Sequence, residues 1–254
     1  MSAARTDYAD QLRHIAHSLA VGKNDRVTNE ISERDTVEKV YLFTSGNLEK
    51  RFDKLKDEAE LLEDELENLE DFIVKYVREQ PLQAYDTGTS DVANFMKWLG
   101  QEIDLTPEQR DLTVVLRSRT ATEEVGRRNR MAHIRFQELR SLVEELSAEL
   151  GINRSLRIRL NPVRLWAVFE STLFLDEDDD PTGGVEVLFY AFGNEVRTAV
   201  LEPEARAVMR TLGECAPCLL EELHERVDLT AGVSKDELQE ILLDSADAGL
   251  IAFS

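Results

Sequence analysis

The sequence lacks any segment that would carry it into or across a membrane. No apolar run approaches the ~20 residues that a membrane-spanning helix needs. Residues 1–7 lack the apolar core of an export signal. We therefore expect a cytoplasmic protein whose two cysteines, Cys215 and Cys218, stay free thiols.

Motifs for catalysis are missing as well. The chain has no nucleophile elbow, no glycine-rich phosphate loop and no HExxH pattern. Cys215-Ala-Pro-Cys218 has the spacing of a redox dithiol, but it lies between two predicted helices rather than after a strand. We therefore favour a turn built from small apolar residues over a redox or metal role, which stays open as the alternative. We expect no catalytic residue and no cofactor.

Histidine is scarce, with four in 254 residues. His14 and His17 stand three residues apart on a helix predicted over 6–21, but no third ligand accompanies them. A zinc-type site needs three or four ligands, so we expect no metal. His133 and His224 are isolated and are interpreted as structural.

Cations are few against a large excess of acids. The chain has 30 Lys and Arg against 51 Asp and Glu, a formal net charge of −21. This charge disfavours nucleic acid and anionic membranes as partners and is compatible with a cationic peptide or a basic protein surface. An acidic surface is also typical of adaptation to high salt and then has no functional meaning. Both interpretations stay open.

What the sequence does contain, first, is helical periodicity. Apolar residues between 48 and 80 repeat every seven positions, which predicts one long helix ended by Pro81. A second apolar repeat, or seam, runs over 125–150. Its first half is flanked by basic residues, whereas the first seam is flanked by acidic ones, so we expect the two helices to pack antiparallel within one chain with acid facing base. Between them, caps at Thr89-Ser90-Asp91 and Thr106-Pro107-Glu108 predict the starts of two shorter helices. Together these elements predict an N-terminal bundle of about five helices.

The last seventy residues have the order of a winged helix. Predicted strands Val185–Phe192 and Glu195–Leu201 flank the turn Gly193-Asn194, and three predicted helices follow near 203–213, 217–226 and 234–248. The fold class is therefore mainly α with a small α+β part. Its predicted domains are a helical bundle at 1–152, a basic connector and acidic linker at 153–183, and a winged-helix-like domain at 184–254.

The charge of this last domain argues against DNA. Residues 184–254 contain 14 acidic and 5 basic residues, a net charge of −9. A DNA-reading third helix presents Arg, Lys, Asn or Gln, whereas this one carries Lys235 against Asp236, Glu237, Glu240, Asp244 and Asp247. Phosphate groups would be repelled, so we expect a peptide ligand.

The β-prone hairpin offers a mode for that ligand. If either strand is a sheet edge, an extended peptide can pair with its backbone, in the groove between the hairpin and the third helix. The alternative, an ordinary wing packed on the helices, stays open. The predicted peptide-binding residues are Val185, Glu186, Val187, Leu188, Phe189, Tyr190, Val196, Arg197, Thr198, Glu237, Glu240, Ile241 and Asp244.

A family resemblance agrees with this interpretation. Arg159-Leu-Asn-Pro162-Val163-Arg-Leu165-Trp166, then a hairpin, then Leu201-Glu-Pro203-Glu-Ala205, resembles the partner subunits of multinuclear non-heme iron oxidases. Those enzymes modify cysteines of ribosomally made peptides, as in methanobactin and 3-thiaglutamate biosynthesis. Their partners combine a helical part with a winged, PqqD-like peptide-recognition element.

The resemblance implies a non-catalytic accessory subunit. Its partners would be the iron oxidase subunit, which holds the iron, and the leader of the precursor peptide, with no nucleic acid and no membrane. The cationic stretch around Arg157, Arg159, Arg164 and Trp166 is the predicted oxidase-binding surface, because Arg and Trp are favoured at interface centres. The alternatives are a protein-interaction adaptor, a winged-helix transcription-associated protein and, after these, a DNA-binding regulator.

Overall fold

The computed structural model describes residues 48–80, 90–146, 157–170 and 184–254. Over these ranges the chain is mainly helical with a small antiparallel sheet part, which confirms the coarse fold prediction. The chain divides into two compact units, Met1–Arg117 and Ser118–Ser254. The helix predicted over 6–21, with His14 and His17, lies outside the described residues, and the three predicted domain ranges stay predictions.

Helices make up the described part of the first unit. They are α1 over 48–58, α2 at Leu69–Glu79, α3 at Asp91–Glu102 and the start of α4, Pro107–Arg128. The predicted starts of α3 and α4 are confirmed. Ser90 Oγ accepts a hydrogen bond from Ala93 N at 3.1 Å, and Thr106 Oγ1 accepts one from Gln109 N at 3.2 Å, so both hydroxyls cap their helices.

The single long helix predicted over 48–80 is wrong. Helix α1 ends at 58, a 3-10 turn follows at Glu60–Leu62, and α2 begins at Leu69. The intervening residues 63–68 carry four acidic side chains, which repel one another at helical spacing. The break lets the heptad residues pack on each other and on α3 in one buried cluster that includes Leu55, Ala59, Leu62, Leu69, Ile73, Tyr76, Phe95, Met96 and Leu99.

A buried ion pair ties α1 to the start of α3. Arg51 donates to both carboxylate oxygens of Asp91, from Nε at 2.6 Å and from Nη2 at 2.8 Å. Its Nη1 donates to the carbonyl of Gln80 at 2.6 Å, and Tyr76 donates its hydroxyl to Asp91 at 3.0 Å. Burial, with Asp91 beside it, raises the pKa of Tyr76. The network satisfies two charges that burial alone would penalise.

Two helices cover the second predicted seam as far as residue 146, and its last residues, 147–150, lie outside the described residues. Helix α4 continues to Arg128, and α5 runs over Arg130–Leu146 after a break at Asn129. Helix α5 packs against the last strand of the second unit, and its Phe136 is buried. The predicted antiparallel packing of the two seams stays a prediction.

The second unit contains two antiparallel sheets. The strands are β1 Arg157–Leu160, β2 Arg164–Phe169, β3 Val185–Phe192, β4 Glu195–Val200, β5 Cys218–Leu219 and β6 Ile251–Phe253. One sheet has the order β5-β1-β6 and the other β2-β3-β4. The predicted hairpin is confirmed, with Gly193 at φ 62° in its two-residue turn, as a type II′ turn requires. Strands β1 and β2 lie within the range predicted as a connector, where the sequence does not predict them.

The three predicted C-terminal helices are present with shifted bounds. They are α6 Pro203–Cys215, α7 Leu220–Ala231 and α8 Lys235–Asp247. Helix α7 begins later than predicted because Cys218 and Leu219 pair with β1 instead of entering a helix. Ser234 and Glu237 form a reciprocal capping box at the start of α8.

Asn161 joins the two sheets. It is fully buried between β1 and β2, and its Nδ2 donates to the carbonyls of Ala191 at 2.9 Å and Gly249 at 3.0 Å. Its Oδ1 accepts from Val163 N at 2.9 Å. Gly249 follows α8 at φ 81°, and a Cβ there would stand 2.5 Å from the Phe192 ring. One side chain thus fixes the end of β3 and the chain entering β6.

Candidate functional site

Strand β4 is an edge of the second sheet. Among the described strands it pairs with β3 alone, and four of its six residues are exposed. In an antiparallel pair, successive residues alternate between pointing their backbone groups at the partner and away from it. Because Phe192 and Glu195 close the turn as a pair, Val196, Thr198 and Val200 direct their N–H and C=O groups outward.

Strand β3, in contrast, lies in the centre of its sheet. It pairs with β2 on one side and β4 on the other, so neither of its edges can accept a peptide strand. The sheet order therefore excludes backbone pairing of a peptide with β3, and a peptide-binding role of any other kind for Val185, Glu186, Val187, Leu188, Phe189 and Tyr190 stays a prediction. All but Glu186 are buried in the core, and Glu186 forms ion pairs with Arg206 and Arg210 at 3.7 and 2.5 Å.

A groove of about 430 Å³ lies beside the end of β4. Its other wall is α8, and its end is the start of α6. Apolar residues from all three elements form its floor, among them Ala199, Leu201, Ala205, Ile241 and Ala248. Val200, 48% exposed, stands at its rim. The floor is thus an apolar surface directly adjoining unpaired backbone groups.

Carboxylates line the groove. They come from α8 and from the segment that enters α6, and they are Glu202, Glu204, Glu237, Glu240 and Asp244. Among the described residues that line it there is no Lys or Arg, and none of the five forms an ion pair within the described part of the chain. Glu237 accepts a 3.4 Å bond from Ser234 N in the capping box, so part of its role is to hold α8. The groove has a negative field that a cation can neutralise.

The predicted residues of β4 and α8 are brought together only in part. Glu237, Glu240, Ile241 and Asp244 line the groove, whereas Val196, Arg197 and Thr198 lie farther along β4. Arg197 stacks its guanidinium 3.6 Å from the centre of the Phe192 ring. Sequence reasoning missed Ala199, Val200, Leu201, Glu202 and Glu204. The sequence signal that could have found them is Val200, because an apolar residue on the solvent-facing side of a strand indicates a surface that binds something.

The four residues predicted to bind the oxidase lie on strands of two different sheets, and their role stays a prediction. Arg157 and Arg159 are exposed on the same face of β1. Arg164 is half-buried on β2 and donates to its own turn, at the carbonyl of Asn161 at 2.7 Å, and burial lowers its pKa. Trp166 is also half-buried, with the Arg210 guanidinium 5.1 Å from its ring centre. Only the β1 pair offers freely exposed charge.

The Cys215 and Cys218 thiols lie 3.2 Å apart at the junction of α6 and β5. Burial, with Cys215 beside it, raises the pKa of Cys218 to about 12. Cys218 is therefore a thiol and not a thiolate at neutral pH, so it lacks the nucleophile that rapid thiol chemistry needs. Within the described ranges, no group of three or more His, Cys, Asp or Glu side chains is placed to hold a metal ion.

Comparison with known proteins adds no relative. No protein-family model and no curated protein matches this chain. In the part of the chain that the structure describes, no helix is both long and apolar enough to pass through a lipid bilayer.

Proposed function

We propose that this chain is the non-catalytic partner subunit of a multinuclear iron oxidase. It binds the leader of a ribosomally made precursor peptide and presents the precursor for oxidation at cysteine. The observation that carries the proposal is the acidic groove beside the free edge of β4. The iron and the oxidation chemistry belong to the other subunit, and the pair works in the cytoplasm as a heterodimer.

Strand addition along β4 supplies the affinity. A peptide laid beside β4 meets the outward backbone groups of Val196, Thr198 and Val200, which are the donors and acceptors that a further strand needs. These bonds require an extended backbone and little sequence identity. A subunit that accepts a flexible leader needs this property, because the leader has no fold of its own to recognise.

The groove supplies the selection. Side chains of an added strand alternate between two faces, so every second residue can enter the apolar floor. Residues near the rim meet carboxylates of α6 and α8, which favour Lys and Arg. The leader that fits best is therefore an extended segment that combines apolar and basic residues.

The order of elements supports a winged-helix-like, PqqD-like arrangement for this unit. Sheet β2-β3-β4 precedes three helices, and the third of them lines the groove beside the edge strand. Strand β2 forms the sheet's other edge. We place the leader at β4 because a groove adjoins it there. Arg157 and Arg159 remain the proposed contacts to the oxidase.

A proline at Thr198 tests the edge directly. Thr198 is exposed and its N–H points outward, so Thr198→Pro removes one donor to an added strand and spares the ladder to β3. Thr198→Ala is the matched control, since it keeps the N–H. The probes are fluorescein-labelled Lys-Val-Lys-Ile-Lys-Val-Lys and the same peptide with Glu for every Lys.

We expect the basic probe to bind and the acidic probe not to bind. Thr198→Ala should keep the affinity, and Thr198→Pro should weaken it about tenfold, or ~1.4 kcal/mol, with an unchanged circular dichroism spectrum. Equal binding of both probes would remove the acidic groove from the proposal, and full affinity in a folded Thr198→Pro protein would remove strand pairing along β4.

The role beside an oxidase has its own test. The chain is co-expressed with a multinuclear iron oxidase and a cysteine-containing precursor, and the precursor mass is measured. We expect a mass change that needs this chain and is lost with Thr198→Pro. If the precursor is modified equally without the chain while the basic probe still binds, the chain is a peptide-binding adaptor instead.

A further inference from the structure

The second unit has another concavity, which we call the basic pocket. It measures about 260 Å³ and lies between α5, β1 and the turn from α6 to β5. Its walls are apolar and include Phe136, Leu139, Leu160, Pro162 and Pro217. This volume is slightly below the ~300 Å³ at which typical ligand pockets begin, so it suits only a small ligand of about the size of a substituted aromatic ring.

Two arginines line this pocket. Arg135 comes from α5 and Arg159 from β1. Arg159 donates from Nε to Ser254 Oγ at 2.8 Å, and its guanidinium forms no other hydrogen bond to a described residue. Within the described residues neither arginine forms an ion pair, and no carboxylate lines the pocket. In a chain with 51 acidic residues, two cations in one small pocket without an acid is an unusual arrangement.

We propose that the basic pocket binds a carboxylate carried on an apolar body. Two positive charges lining one cavity repel each other, and an anion between them relieves that repulsion. Guanidinium groups match carboxylates in a bidentate geometry, and the apolar walls bury what the carboxylate is attached to. The ligand is either a free aryl or alkyl carboxylic acid or the terminal carboxylate of a polypeptide that ends in an apolar residue. This site is separate from the acidic groove and does not depend on the leader proposal, but it shares Arg159 with the surface proposed to contact the oxidase.

The chemistry is tested by amide chemical-shift titration of the ¹⁵N-labelled full chain. The probes are phenylacetate, its neutral counterpart phenylacetamide, and inorganic phosphate. We expect phenylacetate to shift resonances of 132–139 and 159–162 in a saturable way, and the other two to cause no saturable shift there. Saturable binding of phenylacetamide, or none of phenylacetate and none of the acid peptide described next, would overturn the proposal.

The source of the carboxylate is distinguished by a peptide pair. Acetyl-Gly-Ser-Gly-Phe is titrated with a free carboxyl terminus and with an amidated one. Tighter binding of the free-acid peptide than of phenylacetate identifies a polypeptide terminus as the ligand. Binding of phenylacetate with none of the free-acid peptide identifies a small organic acid. Equal binding of the acid and amide peptides contradicts the proposal.

Variants locate the binding. Arg135→Gln with Arg159→Gln removes both charges and should weaken binding of the acid probes at least about tenfold. The matched control is Arg127→Gln with Arg130→Gln, which removes two exposed charges that do not line the pocket. We expect the control to bind the acid probes normally, and both proteins to keep the circular dichroism spectrum of the unchanged chain, which shows that the unit is folded. Equal losses in the two variants would mean attraction by overall charge and would overturn the proposal.

Discussion

The acidic groove and the basic pocket belong to one compact unit but have opposite electrostatics. The groove has five carboxylates and no cation among its described lining, and the pocket has two guanidinium groups and no carboxylate. Both have apolar floors, so burial of apolar surface would contribute to affinity in each. We therefore expect the sign of the charge to decide which ligand each accepts. The net charge of −21 for the whole chain agrees in sign with the groove but gives no indication of the positively charged pocket.

The largest effect should come from the residue that supports both sites. Asn161→Ala leaves the carbonyls of Ala191 and Gly249 and the N–H of Val163 buried without their partner. We expect a loss of about 3 kcal/mol or more in the free energy of unfolding, because each unsatisfied buried group costs ~1–3 kcal/mol. Urea unfolding measures it, with exposed Asn194→Ala as the control. A loss below about 1 kcal/mol would show that water replaces the amide.

Next comes charge reversal in the groove. Glu240→Lys with Asp244→Lys should weaken the basic Lys-Val probe about tenfold or more and leave phenylacetate binding unchanged, because the two side chains line only the groove. Glu237 is kept because it caps α8. Glu225→Lys with Asp228→Lys makes the same change of charge on exposed positions of α7. If calorimetry gives equal losses for both pairs, the groove acts only through the overall field.

The next effect, which should be smaller, is a difference between the two sites in how strongly salt weakens ligand affinity. The basic probe carries several charges and meets five carboxylates, whereas phenylacetate carries one charge. Between about 50 and 500 mM NaCl, screening should weaken the basic probe more than phenylacetate. Titrations at four salt concentrations measure both slopes. Identical slopes would contradict the assignment of a multiply charged contact to the groove.

The smallest effect concerns the thiols next to the basic pocket. With its pKa raised to about 12, Cys218 has little thiolate at pH 7 to 9, and the folded protein should react with iodoacetamide at Cys215 first. Alkylation at Cys218 should accelerate as the pH rises toward 12. Peptide mass mapping after timed quenching measures both sites. Faster reaction at Cys218 at neutral pH would show that its burial is lost in solution.

Local patterns predicted much of this fold. The β-prone composition of Val185–Phe192, the Gly193-Asn194 turn and the caps at Ser90 and Thr106 depend on neighbours within a few residues, and the structure has the elements they indicate. The prediction of one long helix from the heptad seam was wrong because the periodicity shows which residues are buried but not which residues they pack against. Here the seam packs on itself and on α3.

The site was harder to predict because it depends on long-range pairing. Nothing near Val185–Tyr190 shows that β2 covers one edge of β3, since β2 lies in a stretch whose arginines obscure its alternation. Glu202 and Glu204 reach the groove only because α6 begins where β4 ends. Arg135 and Arg159 lie 24 positions apart in sequence and line one pocket through the packing of α5 near β1.

The Asn161–Gly249 bond has a consequence for how the sequence can diverge. At φ 81°, with the Phe192 ring 2.5 Å from where a Cβ would stand, position 249 accepts only glycine without rearrangement, and its carbonyl accepts a hydrogen bond from the side-chain amide of Asn161. Groove and pocket residues are surface residues and can change with the ligand. Chains that share this unit should therefore retain the pair Asn161 and Gly249 together, 88 positions apart, even where every residue that selects a ligand has been replaced.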